Sequence, residues 1–150
     1  VNVQGQVVGI NTAIIGDSFQ GVSFALAGNI AQDAYSKMRD HGYVPRGWLG
    51  VGLREMTPEL AEELGLAAPL GVYVPSFKDL ENQRSPASQA GMQVGDVILR
   101  FNGHDIDAPL TLSRRVAECG IGSSVDVVVL RGGEQLTLNV VIAERPIELN

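Results

Sequence analysis

The sequence predicts a mainly β fold with short helices. Three observations carry that reading. Apolar residues alternate in short runs, the runs are separated by glycine and asparagine turns, and the two clearest helix starts are followed within a few residues by a glycine stop. The chain has 150 residues and 18 glycines, while aromatics make up only 5%. That length suits one ordinary domain, or a small domain plus a fragment of another.

The first segment, 1–45, predicts a hairpin, a strand and a helix. Val1 and Val3 precede a Gln4-Gly5 turn, and Val7, Val8, Ile10 and Ile14 follow it, a hairpin pattern over 1–14. GDSFQG (16–21) is rich in turn residues and reads as a loop. GVSFALA predicts a short strand with Val22, Phe24 and Leu26 on one face. Asn29 followed by Gln32 has the form of a capping box, Ile30, Ala34, Tyr35 and Met38 form an apolar stripe, and Gly42 stands where a helix C′ residue belongs. GYVPRG then reads as a linker, and three strands and a helix are too few to build a good core by themselves.

From Trp48 the pattern restarts, and 46–145 predicts about five strands and two or three helices, followed by a tail at 146–150. WLGVGLREM is a strand. TPELAEELG is a short helix capped by Thr57, with Pro58 in its first turn and Gly65 at its end. LGVYVPSF is a strand, KDLENQR an exposed loop, and SPASQAG repeats the helix-start grammar. DVILRFNG is a strand closed by an Asn-Gly turn. Asp107 stands as the cap of an amphipathic helix with Leu112, Val116 and Cys119 at i, i+4 and i+7. SVDVVVLR and EQLTLNVVIAE are two strands joined at Gly132-Gly133.

Composition narrows the functional classes. A net charge of −6 offers no basic field for nucleic acid or an anionic membrane. One cysteine, Cys119, allows neither an intrachain disulfide nor a cysteine metal site. No apolar run reaches the roughly 18 residues of a membrane span. Neither a metal nor any other cofactor is expected: Asp105 and Asp107 lack calcium-loop grammar, and the Gly50-Val51-Gly52 triplet has no glycine-rich helix start behind it.

Gly-Asp-Ser at 16–18 has the look of a nucleophile. A serine nucleophile needs a base, an orienting acid and an oxyanion hole, and only 17 residues precede Ser18. His41 reads as a helix C-terminal cation and His104 as a turn residue, so Ser18 is assigned to a polar loop.

One constellation points to binding. The small-residue turn RGWLGV leads into a strand, and the later amphipathic helix can form the opposite wall of a groove. A peptide can add to such a strand edge through main-chain hydrogen bonds, and amides at a glycine turn can hold its terminal carboxylate. Arg46, Trp48, Leu49, Gly50 and Val51 are the carboxylate-loop candidates, with Arg46 adding charge. Leu49, Val51, Leu112 and Val116 are the apolar pocket.

SPASQAGMQVGDVILRFNGHDI, with RGWLGV before it and LRGGE after it, resembles the PDZ domain of bacterial proteases over about 46–145. The implied fold is a partly open β-barrel or sandwich, and the resemblance implies that Gly52, Leu53 and Arg54 belong to the strand that pairs with a peptide. Upstream, VNVQGQVVGINTAI, GVSFALAGNIA and HGYVPRGWLGV resemble the last part of an HtrA-type, trypsin-like protease domain. The resemblance implies that Gly21, Val22, Ser23, Phe24 and Ala25 match the strand lining that protease's cleft, while Leu26-Ala27-Gly28 departs from the usual Ile-Pro-Ser. It also implies that the nucleophile motif precedes Val1, so the chain alone is expected to lack the catalytic His, Asp and Ser and to be inactive. The implied role is recruitment of peptides or unfolded segments with hydrophobic C-termini to an ATP-independent, extracytoplasmic quality-control protease. A docking role toward neighbouring domains or subunits is the alternative. The parent is expected to be a periplasmic trimer assembled through its protease domain, and this chain a monomer or a strand-swapped dimer.

Overall fold

The computed structural model describes residues 1–14, 23–79 and 83–146. GDSFQG, Gly21 and Val22, the centre of the KDLENQR loop and all but the first residue of the tail lie outside the described residues. The chain forms two compact units, Val1–Pro45 and Arg46–Asn150.

In the first unit, β1 (Gly9–Ile14) pairs antiparallel with β2 (Ser23–Ala27), and α1 (Gly28–His41) follows. Two expectations are corrected here. Residues 1–6 close a tight turn, with the Asn2 side chain accepting from the Gln4 and Gln6 amides, but Val1 and Val3 form no strand. The hairpin partner of β1 comes from β2 instead. Asn29 does not cap α1: the helix starts at Gly28, with Ala27 at the cap position and no side-chain cap bond. The start is set by strand geometry, because the Gly28 amide is taken by the Val8 carbonyl. Gly42 ends the helix in the left-handed conformation, as the sequence predicts. The stripe of Ile30, Tyr35 and Met38 is largely exposed. Two strands offer too little sheet to cover it.

The second unit holds an antiparallel sheet in the order β4 (Arg54–Glu55), β5 (Val72–Tyr73), β6 (Val97–Phe101), β8 (Ser124–Arg131), β9 (Glu134–Val141), with β7 (His104–Asp105) beside β6. A separate pair joins β3 (Gly47–Trp48) to β10 (Ala143–Glu144). Among the described residues the sheets are open, with no closure into a barrel. Among the described residues, three helices complete the unit: α2 (Pro58–Glu63), α3 (Pro86–Gln89) and α4 (Pro109–Glu118).

The helix starts follow the sequence grammar in two of three cases. Thr57 accepts from the Leu60 amide and Ser85 from the Ser88 amide, each ahead of a proline in the first turn. Asp107 is the exception. Ala108 occupies the cap position of α4, and the Asp107 carboxylate accepts from the Thr111 hydroxyl instead. Asn102-Gly103 and Gly132-Gly133 all have positive φ, the requirement of the two-residue hairpin turns they form.

Period-two patterning sorts the strands into two clusters. Val125, Val127 and Val129 of β8 point into the main core with Val72, Ile98 and Phe101. Val97, next to Ile98, points the other way, into a small cluster with Met56, Leu60 and Ala61 of α2 and its approach. WLGVGLREM is corrected from one strand to three pieces: β3, an isolated bridge from Val51 to Phe77, and β4. The pairing slips by one residue between Val51↔Phe77 and Arg54↔Tyr73, and Gly50 leaves the extended region altogether at φ 75°.

Candidate functional site

The loop from Gly47 to Leu53 runs along one side of an open groove, and α4 forms the other side. The groove has a volume of about 340 Å³. Close backbone approach makes it possible. A side chain at Gly47 would strike the carbonyl of Val116 and come within 3.1 Å of the carbonyl of Cys119, so β3 lies against the C-terminal end of α4 only because residue 47 has none.

Gly50 turns the chain at the groove's end. A side chain there would collide with buried Ser85 and lie 3.1 Å from the Trp48 ring. The loop is fixed from behind by α3, whose Ala87 amide bonds the Leu49 carbonyl at 3.1 Å. The turn after α3 is fixed in its own right. Asp96, fully buried, accepts from the Gln93 amide and takes a two-pronged bond from Arg131 at 2.7 and 2.8 Å, and Arg131 also reaches the Gly91 carbonyl. Hydrogen bonding to Asp96 holds the Arg131 guanidinium above its ordinary pKa, despite partial desolvation.

The hydrogen-bond directions follow from this frame. Lys78 donates its amide to the Gly50 carbonyl at 2.9 Å, and Gly52 donates to the Ser76 carbonyl at 2.8 Å. These two bonds flank the Val51–Phe77 bridge, which makes it a non-hydrogen-bonded pair, so the amide and carbonyl of Val51 point away from Phe77 toward the groove. Among the described residues, the amides of Leu49, Gly50, Val51 and Leu53 donate to no hydrogen bond. Three of these are consecutive and include a left-handed residue, an arrangement that concentrates N–H dipoles on one point. The Gly52 amide is already engaged, and Arg54 pairs with Tyr73. The outward positions on this edge are therefore Val51 and Leu53.

The floor is apolar and built from the core. Leu49 and Val51 from the loop and Leu112 and Val116 from α4, two distant sequence regions, meet there and are all at least nine-tenths buried. Trp48 is 7% exposed and lines the same end. Arg46 is exposed at the rim, where its carbonyl accepts from the Arg145 amide at 2.8 Å. Of the residues predicted for the groove, Gly52 and Arg54 do not line it.

The sequence reading missed Lys78, Leu110, Arg114 and Arg145, which line the groove as well. Leu110 is 76% exposed. Its place one helical turn before Arg114, on the same helix as Leu112, is the signal that could have found it. Of the residues predicted to line a protease cleft, Phe24 and Ala25 lie in β2 opposite Ala13 and Asn11, with Phe24 47% exposed, and Ser23 begins that strand. They belong to the first unit, whereas the groove is built from residues of the second.

A family model described as PDZ domain matches residues 47–142. The chain is 38% identical over 151 residues to a probable periplasmic serine endoprotease, DegP-like, of Hahella chejuensis; the alignment takes in 99% of this chain and 31% of that protein. The solved structure of the HtrA-type protease AlgW with a decapeptide superposes with a TM-score of 0.80 at 36% identity, over 95% of this chain and 43% of that one. The HtrA3 PDZ domain bound to a phage-derived ligand superposes with a TM-score of 0.56 at 26% identity, over 67% of this chain and 88% of that one. The chain thus spans less than a third of the curated relatives it matches. It belongs to the PDZ domain family, in the form carried by HtrA/DegP-like serine endoproteases.

Proposed function

We propose that the second unit binds peptide segments with an apolar C-terminal residue by strand addition along Leu49–Leu53, as the recruiting or regulatory module of a periplasmic HtrA-type serine endopeptidase. The observation that carries this reading is the run of unpartnered amides at Leu49, Gly50 and Val51, set over an apolar floor. A terminal carboxylate placed there accepts several N–H bonds at once, and its side chain covers Leu49, Val51, Leu112 and Val116. The peptide backbone pairs with the outward groups of Val51 and Leu53, and Arg46 adds long-range attraction.

Residues 1–45 are read as the C-terminal part of the trypsin-like protease domain, with Gly21 to Ala25 from its cleft. Their support is that the alignments to the full-length protease relatives run through this segment as well as the PDZ domain. On this reading the parent works in the periplasm, where the relatives' names place them, takes unfolded segments as substrates without ATP, and assembles as a trimer through the protease domain.

The test is affinity for matched peptides that differ only at the C-terminus. Converting the free acid to an amide removes a charge-assisted acceptor and should weaken binding by about tenfold or more. Equal affinities would refute the carboxylate loop. No binding of any apolar-ended peptide would favour docking between domains or subunits instead.

A further inference from the structure

The chain carries 17 acidic and 11 basic residues, yet four of those 11 cations, Arg46, Lys78, Arg114 and Arg145, line the groove, and among the described residues no aspartate or glutamate does. On the strand-addition reading, one terminal carboxylate is taken up by the amides of Leu49–Val51 and by Arg46. That leaves Lys78, on the strand-edge side beside the Gly50 carbonyl, and Arg114, on α4, for other anionic groups. Phe77 packs against the core, so Lys78, its neighbour, turns to the outer face of the strand edge, where it is exposed. An added strand alternates in the same way. If its last side chain enters the apolar floor, the penultimate one points outward on the Lys78 side, and the one before that faces α4 and Arg114.

We propose, resting on the strand-addition reading above, that this groove selects peptides with a carboxylate side chain just upstream of the apolar C-terminal residue, Lys78 reading the penultimate position and Arg114 the one before it. Among the described residues Lys78 has no carboxylate partner. Arg114 has only a loose one, Glu118 on its own helix at 3.7 Å, and both of those side chains are more than two-thirds exposed. A ligand carboxylate competes with Glu118 on favourable terms, because such an exposed helical pair is weak. The preference is for an anionic peptide, which a chain of net charge −6 would otherwise repel.

The test uses the whole 150-residue chain and N-terminally labelled peptides ending in Val, Leu or Phe, with Glu or Gln at the penultimate position or the position before. Fluorescence polarisation reads each Glu/Gln affinity ratio. Glu should bind about threefold to fivefold more tightly than Gln at each position in low salt, and the difference should vanish near about 0.5 M salt. Lys78→Gln should bring the penultimate ratio to about one while leaving the other ratio, and Arg114→Gln should do the converse. Gln and Glu peptides that bind equally well would overturn the acidic preference and leave strand addition standing. A preference that survives both substitutions would overturn the assignment to Lys78 and Arg114. Failure of every free-acid peptide to bind would overturn strand addition itself, and this proposal with it.

Discussion

Replacing Gly50 by alanine tests whether one left-handed residue sets the groove. At φ 75° an L-residue costs about 1–2 kcal/mol more than glycine. The new methyl would also collide with Ser85, which is fully buried, and press on the Trp48 ring at 3.1 Å. Ser85 cannot retreat easily, because it caps α3, and α3 holds the Leu49 carbonyl. Overpacking of this kind adds about 1–3 kcal/mol, so the expected loss is about 2–5 kcal/mol in total. Trp48 is the only tryptophan and is 7% exposed, so its fluorescence reports urea unfolding from within the loop. Gly120→Ala is the control: its methyl would meet no atom within 4 Å, and the change should stay within about 0.5 kcal/mol. Binding should change as well, with the affinity gap between free-acid and amidated peptides shrinking as the three amides lose their common aim. A Gly50→Ala chain with unchanged stability and an unchanged gap would refute the argument that this turn organises the site.

Two further outcomes follow from the supporting structure. Arg131→Ala strands the Asp96 carboxylate, which is 1% exposed, and should cost about 2–3 kcal/mol, below the full cost of breaking a buried pair because the arginine is 29% exposed; urea unfolding within about 0.5 kcal/mol of the unsubstituted chain would contradict that role. Burial, with help from Glu118, raises the Cys119 thiol above its ordinary pKa. Maleimide should therefore react more slowly with the folded chain than with the urea-unfolded one at mildly alkaline pH. A folded-state pKa above the unfolded one favours the neutral thiol, so this contribution to stability is full below the unfolded thiol's pKa and fades as pH rises through the folded value. A Cys119→Ser chain should lack that alkaline decline.

The sequence was most legible where local chemistry dictates structure. Thr57-Pro58 and Ser85-Pro86 start helices because a hydroxyl cap and a proline satisfy the first turn regardless of what packs around them. Asn102-Gly103 and Gly132-Gly133 close hairpins for an equally local reason. It was least legible where distant segments decide. Asn29 has the right neighbours for a cap, but the Val8 carbonyl, just before β1, takes the Gly28 amide and moves the start of α1. Alternation alone made WLGVGLREM one strand, whereas contacts with Ser85 and Ser76 break it at its glycines. The pocket's floor was visible because Leu112 and Val116 carry a helical period. Lys78, Arg114 and Arg145 share no period and meet only in three dimensions.

On the proposed reading a peptide's C-terminus seats on the amides of Leu49, Gly50 and Val51. Amide NMR of the labelled chain, titrated with a free-acid peptide and then with its amidated twin, tests it most directly. The largest shifts should fall on those three residues with the free acid, cross-strand contacts should link the peptide backbone to Val51 and Leu53, and both effects should weaken with the amide. Shifts centred instead on the far side of α4, around Arg115, Cys119 and Ser123, with Leu49–Val51 unmoved, would contradict it.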